Sequence, residues 1–413
     1  MNVLKCFSTP PNSLWRSRKL NTEKPATQKQ IEGEQRRVAV VGAGIIGTMS
    51  AWQLAQRGHS VTVYDQWNTP NDRGASAGES RIFRTLYKEG PEYVEFIQRS
   101  GEKWQELESA QSVHVLEWCG GLTIGRPDHP DVAAVLECAD ELDLDHRVLD
   151  ADAMRNEFPA YGVDDDEIGV FDPNAGVFRP ELAVLAARNE SIRLGTTYRP
   201  YSEVLNIRPL ADRVMVHTAD SADAFDSIVI ATGPWAAELS GLSAGTIFNK
   251  QLVGCWFPAA DVAVHEPSRM PISIRRHPEG AFSGFPCLDG VGVKILTHHL
   301  EWPRIDNVDS LSRFVDPAFV RSAETAVARL MPGLDPTAVR VSTWTEGFTP
   351  DGAPIVGPSP IDDRIVLAVG MSGQGFKFSP MVGSVVADII TSGASNDALD
   401  IMNPSRFTTG ASS

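Results

Sequence analysis

Ala39-Val40-Val41-Gly42-Ala43-Gly44-Ile45-Ile46-Gly47 decides how this chain is read. The apolar run from Val38 to Val41 predicts a buried strand, and it feeds directly into Gly42-x-Gly44-x-x-Gly47. A helical stretch follows from Ile45 to Arg57 and closes at Gly58; a second strand, Ser60–Tyr64, ends on Asp65. A glycine motif set between strand and helix is the signature of dinucleotide binding. Gly42 permits the tight turn, Gly44 lets a diphosphate approach the backbone, and Gly47 lets helix and strand pack closely. The helix N-terminus, with the N–H groups of Ile45 and Ile46, then offers positive dipole to the phosphates. Asp65 is placed to accept hydrogen bonds from an adenosine ribose.

Working outward, two further apolar strands end in glycine turns. Ser227–Ala231 runs into Thr232-Gly233-Pro234-Trp235, and Ile365–Val369 runs into Gly370-Met371-Ser372-Gly373-Gln374-Gly375-Phe376-Lys377. Open α/β sheets place such turns beside their ligand. Between Asp65 and the first of them, the periodicity predicts helices over 91–107, 132–142 and from 181, and a strand over 120–125. The expected fold is therefore mixed α/β, a Rossmann-like dinucleotide-binding domain interleaved with a sheet-based substrate domain. Residues 37–115, 170–245 and 335–405 would form the first, and 116–169 with 246–334 the second. A nicotinamide enzyme usually keeps its cofactor domain in one block. Cofactor-facing turns spread from 42 to 377 point instead to FAD, an extended ligand.

The 413 residues exceed what one core comfortably holds. With 37 Lys and Arg against 53 Asp and Glu, the net charge is −16. That balance argues against nucleic-acid or anionic-membrane partners. No apolar run approaches the roughly 20 residues of a membrane span. Cys6, Cys119, Cys138, Cys255 and Cys287 are scattered without a CxxC pair, so neither a metal site nor a disulfide framework is indicated and a cytoplasmic setting is expected. Residues 1–36, rich in polar residues and proline, read as a flexible extension, and 406–413 as a tail. The extension lacks the apolar core of a secretory signal. Glu23, Glu32 and Glu34 weaken an organelle-targeting reading.

The run Gly74-Ala75-Ser76-Ala77-Gly78-Glu79-Ser80-Arg81-Ile82-Phe83-Arg84 resembles a segment of the monomeric sarcosine oxidase and N-methyltryptophan oxidase family. The resemblance continues at 171–177, at Ala231–Trp235, at Gly284-Phe285-Pro286 with Gly292-Val293-Lys294, at Thr349-Pro350-Asp351, and through Ser372–Phe378. It spans about 37–405 in order. It implies FAD bound along Gly42, Gly44, Ile45, Ile46, Gly47 and Asp65, with Ser76 and Arg81. Thr232, Gly233 and Trp235 would contact the cofactor too, as would Gly373, Gln374, Gly375, Phe376 and Lys377. By the same resemblance Lys294 sits over the flavin and promotes its reaction with O2. Arg84 and Lys377 bind the substrate carboxylate, Arg81 acts electrostatically near the ring, and His298 is an active-site histidine. On a strand continuing through Thr297, positions 294, 296 and 298 share a face; the bland alternative is that His298 only caps that strand.

Three departures stand out. The family's flavin-tethering cysteine falls nearest Trp344, so FAD is expected to be non-covalent unless Cys287 lies close. A tyrosine before Gly-Phe-Pro is Ser283, and a histidine of the late glycine loop is Gln374. The reaction implied is oxidation of an N-methyl or cyclic α-amino acid to an imine, with O2 reduced to H2O2, by a monomer. A dehydrogenase passing electrons elsewhere, a flavin-binding protein without turnover, and a nicotinamide-binding module stand as alternatives.

Overall fold

The computed structural model describes residues 34–290, 292–309 and 313–407. Of the expected extension and tail, residues 1–33 (with Cys6) and 408–413 lie outside the described residues.

Arg37–Val41 pairs in parallel with Ser60–Tyr64 on one side and Ser227–Ile230 on the other. Among the described residues these belong to a six-stranded sheet ordered Ile355–Pro358, Ile365–Val369, Ser227–Ile230, Arg37–Val41, Ser60–Tyr64, Thr197–Arg199. All neighbours are parallel except the edge strand Ile355–Pro358. A parallel sheet is covered on both faces, and its strands therefore read as continuous apolar runs. Alternate residues serve the two layers. Val38 and Val40 pack with Met49, Trp52 and Val385 under the helices Ile45–Gln56 and Gly375–Ser392. Ala39 and Val41 pack with Val214, Val216 and Phe225 of an antiparallel meander, Asn206–Pro209, Val214–His217 and Ala222–Phe225. That meander was not anticipated: its strands are too short for a distinct periodic signal.

Two glycines set the first turn. Gly42 has φ +100°, and a Cβ there would lie 2.4 Å from Ala231 O. A Cβ on Gly47 would lie 1.8 Å from Gly42 O, so any side chain would force helix Ile45–Gln56 away from the strand.

Among the described residues, a nine-stranded sheet forms the other layer. Phe248–Phe257 is its longest strand, flanked by Arg340–Phe348 and Val293–Thr297. Phe282–Phe285, Ile272–Arg275, Gly121–Gly125, Ile168–Asp172 and Arg147–Leu149 continue it. One face carries a core with Phe257, Phe282, Val293 and Ile295 against Phe319, Ala323, Val327 and Leu330 of helix Pro317–Leu330. Because Val293 and Ile295 point to that core, Lys294, Leu296 and His298 share the opposite face. No described helix is long and apolar enough to cross a membrane.

Candidate active site

The turns that follow four parallel strands line one cleft: Gly42–Ile46, Asp65–Trp67, Thr232–Trp235 and Gly370–Met371, joined by Gly373, Gly375 and Phe376. Gly74–Ala77 and Arg81 complete its wall. Asp65 accepts hydrogen bonds from Ala43 N and Trp67 N, both at 2.7 Å, and burial raises its pKa. Ser76 Oγ accepts from Ile45 N at 2.9 Å at the start of the first helix. A Cβ on Gly44 would stand 3.0 Å from the same hydroxyl. Trp235 lines the cleft while its Nε1 donates to Asp309 at 2.7 Å. The cleft also holds buried polar atoms, Thr232 Oγ1 and Trp67 Nε1, without a hydrogen-bond partner among the described residues. Orphaned donors and acceptors in a wall call for a polar ligand. A helix N-terminus, an acid and these groups suit the diphosphate and ribose of a dinucleotide. Of the residues expected to touch it, Gly47, Gln374 and Lys377 do not line this cleft.

Lys294, buried at 2% exposure, is not among the residues lining this cleft. Its Nζ donates to Gly78 O at 2.8 Å and Ser80 O at 3.3 Å. Three rings surround it, with centroids at 4.6 Å (Trp344), 4.7 Å (Phe285) and 5.5 Å (Trp256). Burial, reinforced by the Arg81 charge, pushes this ammonium well below its ordinary pKa. Arg81 donates to the carbonyls of Ser80, Ala75 and Ala77, and its guanidinium lies 5.6 Å from the Trp344 ring. Trp344 presses against Gly78, where a Cβ would be 2.5 Å from the indole.

A second cationic pair gathers on Tyr87. Arg84 lies 4.7 Å and Lys377 5.0 Å from that ring's centroid. Tyr87 OH donates to Gln374 Oε1 at 2.6 Å, and Gln374 Nε2 donates to Gly352 O at 2.8 Å, which accounts for Gln374 standing outside the cleft wall. Arg84 is already paired with Glu89 at 3.3 Å. A chain of ion pairs continues from Glu89 to Lys88 (3.6 Å), Asp131 (3.5 Å) and Arg276 (2.6 Å). Burial would push Glu89 up, but Arg84, Lys88 and Lys377 outweigh it and hold the carboxyl below its usual range. Burial and the Arg84 charge bring Lys377 down to about 7.

His298 shares its sheet face with Lys294, and its Nε2 is 2.8 Å from Ser283 Oγ. Burial, with nearby Arg276, lowers it to about 3, so the ring is neutral. Its ring packs 5.1 Å from Trp302. The Ser283 hydroxyl, standing where the resemblance expected a tyrosine, is thus engaged by the histidine. Glu89, Glu181, Trp256 and Glu346 carried no motif and were not singled out from the sequence.

Residues 37–389 match the family described as FAD dependent oxidoreductase. The chain belongs to this family. Over 373 residues it is 32% identical to the monomeric sarcosine oxidase of Streptomyces avermitilis, a match spanning 90% of this chain and 97% of that one. It is 27% identical to an N-methyl-L-tryptophan oxidase of Yersinia pestis, over 84% of this chain and 93% of the relative. Among solved structures it resembles NikD, an unusual amino acid oxidase essential for nikkomycin biosynthesis, with TM-score 0.79 at 22% identity. That match covers 90% of this chain and 98% of the other. An L-proline dehydrogenase from P. horikoshii superposes with TM-score 0.77 at 20% identity, over 92% and 99% of the two chains. These structures share the fold, as the mixed α/β reading expected.

The protein is therefore an FAD-dependent oxidoreductase. At the position where the resemblance expected a tethering cysteine, Trp344 packs on Lys294. Cys287, the other thiol considered for a tether, lies in the second core with Phe282 and Val293.

Proposed function

We propose that this protein oxidises a secondary α-amino acid, N-methyl or cyclic, to an imine and returns the electrons to O2 as H2O2. Bound FAD supplies the hydride-accepting ring. The observation that carries the reading is the convergence of Arg84 and Lys377 on the ring of Tyr87, with a buried lysine, Lys294, bonded to the carbonyls of Gly78 and Ser80 beside cleft-lining Ala77 and Arg81. Two cations converging on a carboxylate fix the amino acid in one orientation, which confers much of the advantage of a bound reaction. Substrate must displace Glu89 from Arg84 to bind. Lys294 is held by two carbonyls and three rings, so a fixed ammonium faces the negative charge that O2 acquires on reduction. His298, neutral and bonded to Ser283, shapes the pocket without adding charge. An uncharged amine gives up hydride without a strong base, and the cations near the site favour that form. Water then hydrolyses an acyclic imine.

The remaining roles follow the same reading. Gly42–Ile46 and Ser76 hold the diphosphate, Asp65 the ribose, and Thr232–Trp235 with Arg81 and Gly373–Phe376 the rest of FAD. Residues 37–115, 170–245 and 335–405 are assigned to the cofactor domain, and 116–169 with 246–334 to the substrate domain. A monomer is supported by the names of the sarcosine oxidase relatives, and a cytoplasmic setting by the free thiols of Cys119, Cys138, Cys255 and Cys287. One observation favours a second reading: position 344 is a tryptophan with no thiol to tether the flavin, and an untethered flavin is expected to hold a lower potential, which suits a dehydrogenase using another acceptor.

The deciding experiment is anaerobic bleaching of the flavin colour with a panel of N-methyl and cyclic amino acids, followed by admission of air. Bleaching by one class with fast recovery and peroxide is the expected outcome. Slow recovery would favour the dehydrogenase, and no bleaching by any secondary amino acid would overturn both.

A further inference from the structure

Glu346 belongs to no motif and has no part in the reaction described above. It lies on strand Arg340–Phe348, two residues beyond Trp344 and on the same face. Its side chain lines the cofactor cleft, next to Gly347 and opposite Gly373. One carboxylate oxygen, Oε1, accepts the Gly373 N–H at 2.7 Å, just ahead of helix Gly375–Ser392. The other, Oε2, receives no hydrogen bond from any described residue. The carboxylate is thus anchored by one atom, and the second is left without a partner among the described residues.

Its surroundings define which part of the cofactor it meets. Gly42–Ile46 and Asp65 mark the diphosphate and ribose end of the cleft. Glu346 is placed where its charge acts on both Arg81 and Lys377, the lysine that shares the Tyr87 ring with Arg84. These two cations, from Arg81–Phe83 and from the late helix, are the charged groups that face it most closely. Glu181, from helix Pro180–Arg193, lines the same cleft and is occupied by Gly78 N at 2.7 Å and Glu79 N at 3.2 Å. Lys250, directly across the ladder, is turned to Glu301 at 3.5 Å.

We propose that Glu346 Oε2 hydrogen-bonds the flavin ring and that this carboxylate takes up one proton from solvent each time the ring is reduced. The proposal rests on the FAD reading above and adds to it a proton carrier. The balance is simple. A hydride brings two electrons and one proton, so the ring and its surroundings gain one negative charge. A carboxylate in contact with that charge relieves the repulsion by becoming a carboxylic acid, with the proton drawn from solvent. Reoxidation returns the proton to solvent. Burial already raises the affinity of Glu346 for a proton, while the Gly373 N–H, Arg81 and Lys377 oppose it. The group is balanced between two states, and a single added charge is enough to tip it.

The test uses the FAD-loaded protein reduced by dithionite, so that it does not depend on the substrate. Protons taken up per two electrons are read from the pH dependence of the midpoint potential, for the wild type and Glu346→Gln. Redox-difference infrared spectra are recorded alongside. The expected result is one proton fewer for E346Q, and a carboxylic-acid carbonyl band that rises on reduction of the wild type and is missing in the variant. If E346Q does not fold, the wild-type spectrum with isotopically labelled glutamate decides by itself. FAD bound with equal proton counts and no such band would overturn the proposal while leaving the oxidase reading intact. A wild-type protein that takes up no FAD would overturn both.

Discussion

Arg84 and Lys377 share a single aromatic ring, their cationic groups 4.7 and 5.0 Å from the centroid of Tyr87. Their positions are nearly 300 residues apart in sequence, so only the fold brings them together. Tyr87 is itself fixed by Gln374, three residues before Lys377.

Removing either cation should be felt at the substrate carboxylate. Lys377→Met is expected to raise KM about tenfold or more, equivalent to about 1.4 kcal/mol, with FAD content unchanged. Steady-state kinetics on the best amino acid of the panel check this. Unchanged KM would dissociate Lys377 from substrate binding.

The same lysine gives the reaction a pH dependence. Its folded-state pKa is lowered from 10.5 to about 7, so it carries charge below about pH 7 and loses it above. KM for a carboxylate substrate should therefore rise as pH climbs through that region. Lys377→Arg keeps a cation at every pH and should flatten the profile. The stability sign is the reverse: the unfolded lysine holds its proton more tightly, so stability rises with pH between about 7 and 10.5.

Glu89 is paired with Arg84, and under the proposed function it competes there with the substrate carboxylate. Glu89→Gln removes the competing charge while keeping the shape, and it should lower KM severalfold. A rise in KM would mean that Glu89 positions Arg84 rather than masking it.

Lys294→Met should slow reoxidation of the reduced protein by air by about 10²–10³-fold, the scale for removing one preorganised electrostatic group. Anaerobic reduction by substrate should change far less. Stopped-flow measurement of the two half-reactions separates them, and equal losses in both would deny Lys294 a specific part in oxygen chemistry.

Away from the site, Arg275 and Glu167 form an ion pair at 2.5 Å with side chains at 0% and 2% exposure. Glu167 Oε1 and Arg275 Nε and Nη1 have no further partner among the described residues. Glu167→Ala would strand a buried guanidinium and is expected to cost about 3–5 kcal/mol of stability. A urea midpoint shift smaller than one-third of that would mean that water reaches the arginine.

Much of the fold was legible because its signals are local. Strand Ser60–Tyr64, the glycine turn before Ile45 and the strand Ile365–Val369 followed from apolar runs and turn residues within a few positions of one another. The helix Pro317–Leu330 also carries local signals. Asp316 caps it by accepting from Ala318 N, Pro317 opens it, and Phe319, Ala323, Val327 and Leu330 make its stripe. The meander over 206–225 was not readable, since strands of four residues carry too few alternations.

The sequence by itself determined the dinucleotide turn, the parallel sheet that bears it and, through a resemblance of ordered motifs, the family. Those depend on backbone conformation and periodicity, which neighbouring residues set. What only the tertiary structure decided is the company each charge keeps. Trp344 lies against Lys294, Glu89 on Arg84, His298 on Ser283, and Glu346 at the Gly373 N–H. Each pairing joins separate elements, and the burial that shifts Lys377 and Glu346 exists only once those elements have closed over them.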